Sequence, residues 1–320
     1  MNKRIFLTII LIVLMVFSVS LNTVEAQDSY EFIFVTHSTT MDFWVPVRTG
    51  MEEAAEMFGD YFDVEIEVRQ EGPTDFDVSG QRDALETVLY AEPDGIVASL
   101  TDPDAFDTPV QEAIEQGIPV IGMNTDAEDN PRMAFIGQDL VESGRSLGRE
   151  IKDRVGTEGV IGLGTEAPGH TALEARIEGV KEVLADTDIE IEVLDTSADV
   201  TVAASTFETF LQANPDATGI FSVDATGTDA VGTVVRNLAL EGEVVAGGFD
   251  LVAGTLSDIQ DGYTDFTIDQ HPYSQGFQPV AQLVMYHEYG IAPQDIDTGA
   301  GFVTIDNVDE VKELVDDGYR

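Results

Sequence analysis

Eleven short runs rich in Val, Ile and Phe, separated by stretches with helical spacing, set the tightest limit on how this chain can fold. The spacing predicts strands over Glu31–Thr36, Val64–Arg69, Gly95–Ser99, Pro119–Met123, Met133–Ile136, Gly159–Leu163, Glu190–Leu194, Gly219–Val223, Val244–Phe249, Phe266–Asp269 and Phe302–Ile305. Helices are expected between most of them, as over Val45–Phe58 and Gln81–Tyr90. Such alternation builds parallel sheets with helices on both faces, because a parallel pair needs a crossover connection. The strands are too many for one simple doubly wound sheet. The expected fold class is therefore α/β with two doubly wound lobes, and a length of 320 residues supports two cores. Thr108-Pro109-Val110-Gln111 reads as a helix start with a proline at the first helical position, and Gly117 as its end. Thr171 and Glu174 have capping-box spacing at the head of a later helix.

The first 26 residues stand outside this pattern. Lys3 and Arg4 precede an apolar run from Ile5 to Val19, and Val24-Glu25-Ala26 has the small outer residues of a cleavage site. This is the order of a secretory signal; a retained anchor is the rival reading, but the apolar stretch is short for a bilayer. The chain has no cysteine, so an exported domain would be free of disulfides and of a lipoprotein anchor. A soluble, monomeric, periplasmic protein is the expectation. With 61 acidic residues against 15 Lys and Arg, the net charge is −46, which repels nucleic acid. The acids are spread through apolar-patterned segments such as "VKEVLADTDIEIEVLDTSADV", as on a surface adapted to high salt.

Motifs for catalysis and cofactors are missing. Gly162, Gly164 and Gly169 do not have dinucleotide-loop spacing, and neither a phosphate loop nor a G-x-S-x-G elbow occurs. His287-Glu288 lacks the second histidine of a zinc protease, and the four histidines are scattered. No cofactor and no metal are expected, and the sequence is not that of a recognisable enzyme.

A binding constellation remains. A sugar needs aromatic faces for its C–H surfaces and carboxylate or amide groups that meet two hydroxyls at once. In open α/β sheets the ligand lies beyond the carboxyl ends of the strands. Phe43 and Trp44 follow the first strand; Ser99 ends another; Asn124, Thr125 and Asp126 follow "PVIGM". Asp224 follows "GIFSV", Asp250 follows "VVAGGF" and Gln270 follows "FTID". His170 stands at a helix head, where it either reaches a ligand or lies in an exposed loop, and Thr36 and His37 end the first strand. Trp44, the one tryptophan, has a competing reading as core. Glu174 is read as a helix cap rather than a ligand.

The segments "FIFVTHSTTMDFWVPVRTGMEEAAE", "DGIVASLTDPDAF", "GIPVIGMNTDA", "IGQD", "HTALEARIEGV", "GIFSVDATGTDAVG", "VAGGFD" and "TIDQHPYSQG" succeed one another in a specific order. In that order the chain resembles the ribose-binding-protein family of type I periplasmic binding proteins, over essentially all of it beyond the signal. The fold is shared with the effector domain of LacI-type regulators, but an export signal stands where their DNA-binding helices would be. The resemblance implies two lobes, 28–137 with 271–300 and 138–270 with 301–320, joined near Gly137-Gln138, Gln270-His271 and Thr298–Gly301. It implies that Phe43 and Trp44 stack on or edge a sugar, that Ser99, Asp250 and Gln270 hydrogen-bond it, and that Asp224 stands where ribose binders carry asparagine. It further implies capture of a small sugar and delivery to the permease of an ABC importer. A chemotaxis or sensor receptor and a binder of a nucleoside or signal-sugar derivative are the alternatives, with an exported carbohydrate-acting enzyme behind them. Departures from the ribose pattern are specific: Asn124-Thr125 replaces an Asp-Arg pair, Glu174 replaces an arginine, and an aromatic near Val200 is missing. Arg176 matches a second family arginine, which is read as a brace for its helix.

Overall fold

The computed structural model describes residues 29–127 and 129–320; the expected signal lies outside them. Twelve strands form two six-stranded sheets. The first holds β1 (Ser29–Val35), β2 (Glu65–Glu71), β3 (Gly95–Ala98), β4 (Val120–Met123), β5 (Ala134–Gly137) and the short β11 (Ile296–Asp297), in the order β11-β5-β4-β3-β1-β2. The second holds β6 (Glu158–Thr165), β7 (Asp188–Asp195), β8 (Ala217–Ser222), β9 (Val245–Phe249), β10 (Phe266–Asp269) and β12 (Gly301–Thr304), in the matching order β12-β10-β9-β8-β6-β7. Each of the eleven expected strands is present within a few residues of its predicted ends; β11, two residues long, has too little sequence to carry a period.

Helices α1 (Trp44–Phe62), α2 (Val78–Leu89), α3 (Pro103–Glu115) and α9 (Pro272–Tyr289) cover the first sheet. The second is covered by α4 (Leu140–Val155), α5 (Thr171–Leu184), α6 (Val200–Ala213), α7 (Ala225–Leu238), α8 (Ala253–Asp261) and α10 (Val308–Asp316). Two expected helix starts are displaced. α3 begins at Pro103 rather than Pro109, because the Asp102 side chain accepts from the Ala105 N–H and so caps the helix further upstream. Pro109 then sits inside the helix with its ring in the core. α5 is capped by His170, whose Nδ1 accepts from the Ala172 N–H, while Glu174 reaches back to the Gly169 N–H.

Each sheet is buried between apolar clusters. Phe32, Phe34, Trp44 and Met123 anchor one side of the first sheet; Leu163, Ile177, Phe249 and Phe266 anchor the equivalent side of the second. On those sides two helices approach closely in each lobe. A Cβ on Gly50 of α1 would lie 2.2 Å from the Tyr273 carbonyl of α9, and one on Gly144 of α4 would lie 2.1 Å from the Arg176 carbonyl of α5. Only glycine allows that backbone contact.

The chain passes between the sheets three times: after β5, after β10, and between β11 and β12. The third pass is one extended ribbon. It runs parallel to β5 as β11, and after three residues runs antiparallel to β10 as β12. The passes are laced together: the Thr298 N–H donates to the Gly137 carbonyl (2.9 Å), the Thr298 hydroxyl to the Gln270 carbonyl (2.9 Å), and Gln138 Nε2 to the Gly299 carbonyl (3.0 Å).

Candidate ligand-binding cleft

Beyond the carboxyl ends of the strands the chain leaves the packed sheet, and polar side chains gather there in both lobes, which meet through contacts such as Phe76–His170. In the first lobe, His37, Ser99 and Asn124 lie one or two residues beyond the ends of β1, β3 and β4. Asn124 adopts the left-handed conformation (φ 65°) and its N–H donates to the Ile136 carbonyl of β5. Its Oδ1 accepts from the Thr125 hydroxyl at 3.1 Å and lies 3.4 Å from the Ser99 hydroxyl. His37 Nδ1 lies 3.5 Å from the same hydroxyl, and its ring meets Trp44 edge-on with centroids 5.2 Å apart. Burial, with His170 nearby, lowers the His37 pKa from 6.5 to about 4, so the imidazole is neutral.

The second lobe answers with charge. Asp250 follows β9, again left-handed (φ 75°), and its N–H donates to the Ile268 carbonyl of β10. Gln270 Nε2 donates to Asp250 Oδ1 at 2.5 Å. Arg176 is 4% exposed and stacks on the Phe249 ring at 4.1 Å. It donates to the Val223 carbonyl and to Gln138 Oε1, while its Nε–H finds no partner among the described residues. Burial raises the pKa of Asp250, partly offset by Arg176; it also raises that of Glu166, with Asp250 adding to the effect. Burial, reinforced by Glu166, pushes Asp224 up to about 7. Burial lowers the Arg176 pKa, against the pull of Asp250, Asp224 and Glu166. The lobes touch at the cleft mouth, where Phe76 of the first lies 4.9 Å from the His37 ring and 6.0 Å from the His170 ring of the second. A neutral, ring-lined wall thus faces a wall of carboxylates held by one cation, an arrangement suited to a polar, uncharged ligand with an apolar face.

A family model described as a periplasmic binding protein domain matches residues 32–290. The chain belongs to this family. Among its relatives is the xylose/arabinose-binding protein XylF of Sulfolobus acidocaldarius, 32% identical over 302 residues, which cover 89% of this chain and 73% of the relative. Among solved structures, an ABC transporter solute binding protein from Burkholderia graminis in complex with D-arabinose superposes with a TM-score of 0.79 at 27% identity, covering 88% of this chain and 97% of that one. AraP, an arabinose binding protein from Geobacillus stearothermophilus, superposes with a TM-score of 0.76 at 26% identity, covering 88% and 99%.

Within this family fold, the residues singled out from sequence divide into two groups. Asp250, Gln270, Ser99, Asn124 and Phe43 stand at the facing strand ends or beside them, with Phe43 half-buried against Trp44. His170 reaches the cleft mouth but also caps α5. The others are engaged elsewhere. Trp44, like Ser99, has no exposed surface; it packs among Phe32, Phe34 and Met123 and meets the His37 and Phe43 rings edge-on. Asp126 is held by Arg132 in a two-pronged ion pair. Thr125 is buried in a tight turn, and its hydroxyl is committed to Asn124. Asp224 caps α7: one oxygen accepts from the Gly227 N–H and the other from the Glu166 N–H. Glu166, Phe76 and Gln138 were not singled out as ligand-facing. Glu166 follows the β6 strand by the same rule that marks Asp250, and Phe76 is a large ring in a Pro/Asp/Gly loop; both signals were available.

Proposed function

We propose that this protein is an exported solute-binding protein that captures a small sugar between its lobes and delivers it to the permease of an ABC importer. The observation that carries the reading is the Asp250–Gln270 pair, backed by Arg176 and opposed by Phe43, His37, Ser99 and Asn124. Asp250 offers a second oxygen to sugar hydroxyls, and the ring wall accepts the C–H face. Relatives named for xylose, arabinose and D-arabinose make a pentose the first candidate.

The sheet memberships and laced passes support lobes of 28–137 with 271–300 and 138–270 with 301–320, hinged at the three passes. Sugar favours the closed state because both walls contact it only there. The protein binds without turnover, as a monomer, in a periplasm reached through cleavage after Ala26. Among the described residues no helix is long and apolar enough to cross a membrane. A thermal-shift panel of pentoses, hexoses, deoxysugars, polyols and nucleosides at high salt tests this, because a true ligand stabilises the fold by mass action. A pentose is expected to raise the melting temperature, and Asp250→Ala to abolish the rise while the apo protein stays folded. No shift with any sugar would overturn the reading.

A further inference from the structure

Helix α10 belongs to the second lobe: its Val308 and Val311 pack against Leu256 and Ile259 of α8 and Val303 of β12. The chain beyond it does not stay there. Gly318 takes the left-handed conformation (φ 81°); its N–H donates to the Val315 carbonyl, and that of Tyr319 to the Leu314 carbonyl. This glycine cap fixes the direction in which the chain leaves α10. That direction leads to the first lobe. A Cβ on Gly318 would lie 3.2 Å from the Thr49 hydroxyl of α1, and the Tyr319 hydroxyl donates to Glu53 Oε1 of the same helix at 2.8 Å. Glu53 Oε2 accepts from the Tyr273 hydroxyl of α9 at 2.7 Å, and the two phenol rings lie 5.7 Å apart.

Arg320 turns back to the hinge. Its Nε and Nη2 donate to Asp269 Oδ2 at 2.8 and 2.5 Å, and Asp269, the last residue of β10, is buried. The other Asp269 oxygen accepts from the His271 N–H. Gln270, which donates to Asp250, therefore lies between a residue held by Arg320 and a helix held through Tyr273, Glu53 and Tyr319. Three stretches of chain join the lobes; this segment adds a fourth tie, made of side chains, across the second of them. It is fastened in the same conformation in which Phe76 meets His170 across the cleft mouth. A contact made in one of two conformations favours that one.

We propose that Tyr319 and Arg320 are positioning residues that strap the lobes together beside the second pass, and so hold the cleft in its closed geometry through Glu53 and Asp269 rather than by touching the sugar. The inference rests on the sugar-binding reading above. Tyr319 supplies the tie to the first lobe, and Arg320 anchors the same segment to the strand end next to Gln270. Loss of either widens the range of angles open to the lobes and lowers the fraction of molecules competent to bind.

The test is a double-mutant cycle across the two lobes, read by calorimetry with D-xylose and D-arabinose, together with small-angle scattering of the sugar-free protein. Tyr319→Phe removes one exposed hydrogen bond and keeps the ring, so it is expected to melt as the wild type does. Its affinity is expected to fall about threefold, as a smaller competent fraction dictates. Glu53→Ala, on the other lobe, is expected to weaken binding to a similar degree and the double variant no further, a coupling that separate local roles for the two residues would not produce. Arg320→Gln is expected to lose about tenfold in affinity, with Arg320→Lys restoring most of it; should Arg320→Gln fail to fold, the cycle alone decides. Wild-type affinity in Tyr319→Phe, or losses that add in the double variant, overturns the strap. If the wild type binds no sugar, the sugar-binding reading falls and scattering decides the strap. A larger radius of gyration in the double variant than in the wild type then upholds it, and an unchanged radius overturns it.

Discussion

The two lobes repeat one plan and differ in what they place at its end. Strand order matches position for position, and Asn124 and Asp250 are counterparts down to a left-handed backbone and an N–H donated to the neighbouring strand. In both lobes the helix entered after a pass packs through glycine against the helix that follows the lobe's first strand. Yet one wall carries a neutral histidine, an amide, a hydroxyl and rings, and the other carries three carboxylates around an arginine. The shared backbone supplies the position of a binding group; only the side chain at that position decides its chemistry. A duplicated scaffold can therefore hold a ligand that is apolar on one face and hydrogen-bonding on the other.

That contrast can be broken at four points, in order of decreasing effect. Trp44→Ala empties the packing of the neutral lobe and is expected to cost about 3–5 kcal/mol in denaturant unfolding, with the remaining folded protein still binding sugar. Asp250→Asn keeps the left-handed backbone, which asparagine tolerates, but removes the charge; affinity measured by calorimetry is expected to fall about 100-fold. The reciprocal Asn124→Asp keeps an acceptor for Ser99 and Thr125 but places a like charge opposite the acidic wall. It is expected to weaken binding by about fivefold at low salt, with the loss vanishing at high salt.

The fourth point is pH, where the lobes pull in opposite directions. His37 falls from 6.5 to about 4 on folding, so its contribution to stability is present above 6.5 and is lost as pH drops toward 4. Asp224 rises from 3.8 to about 7, so its contribution is present below 3.8 and is lost as pH climbs through 7. Between pH 7 and 4 the two slopes oppose. His37→Asn is expected to gain stability on acidification across that window more steeply than the wild type, and Asp224→Asn less steeply, because Glu166 and Asp250, whose values burial also raises, still gain. Parallel slopes in the two variants, followed by denaturant midpoints, would contradict the assignment.

Much of the fold was legible because a buried parallel strand needs a run of apolar residues, which survives in a chain this acidic. The strand-end rule likewise picked out Asp250, Gln270, Ser99 and Asn124, which stand at or beside strand ends in the structure. At other strand ends a local partner engages the group that the rule picks out. Asp126 lies six residues before Arg132, and Asp224 begins a helix whose free N–H groups it satisfies. Pro109 misled because Asp102-Pro103, a better-formed helix start, lies just upstream. The Gln138–Arg176 link joins residues 38 positions apart through the hinge, and no spacing in a sequence encodes it.

The ribbon from Ile296 to Thr304 is an edge to both sheets at once. Cutting it, or expressing either half alone, would strip a border strand from β5 or β10 and leave raw backbone amides open to pairing with another molecule. The halves cannot be excised from one another: this segment makes them obligate companions in folding.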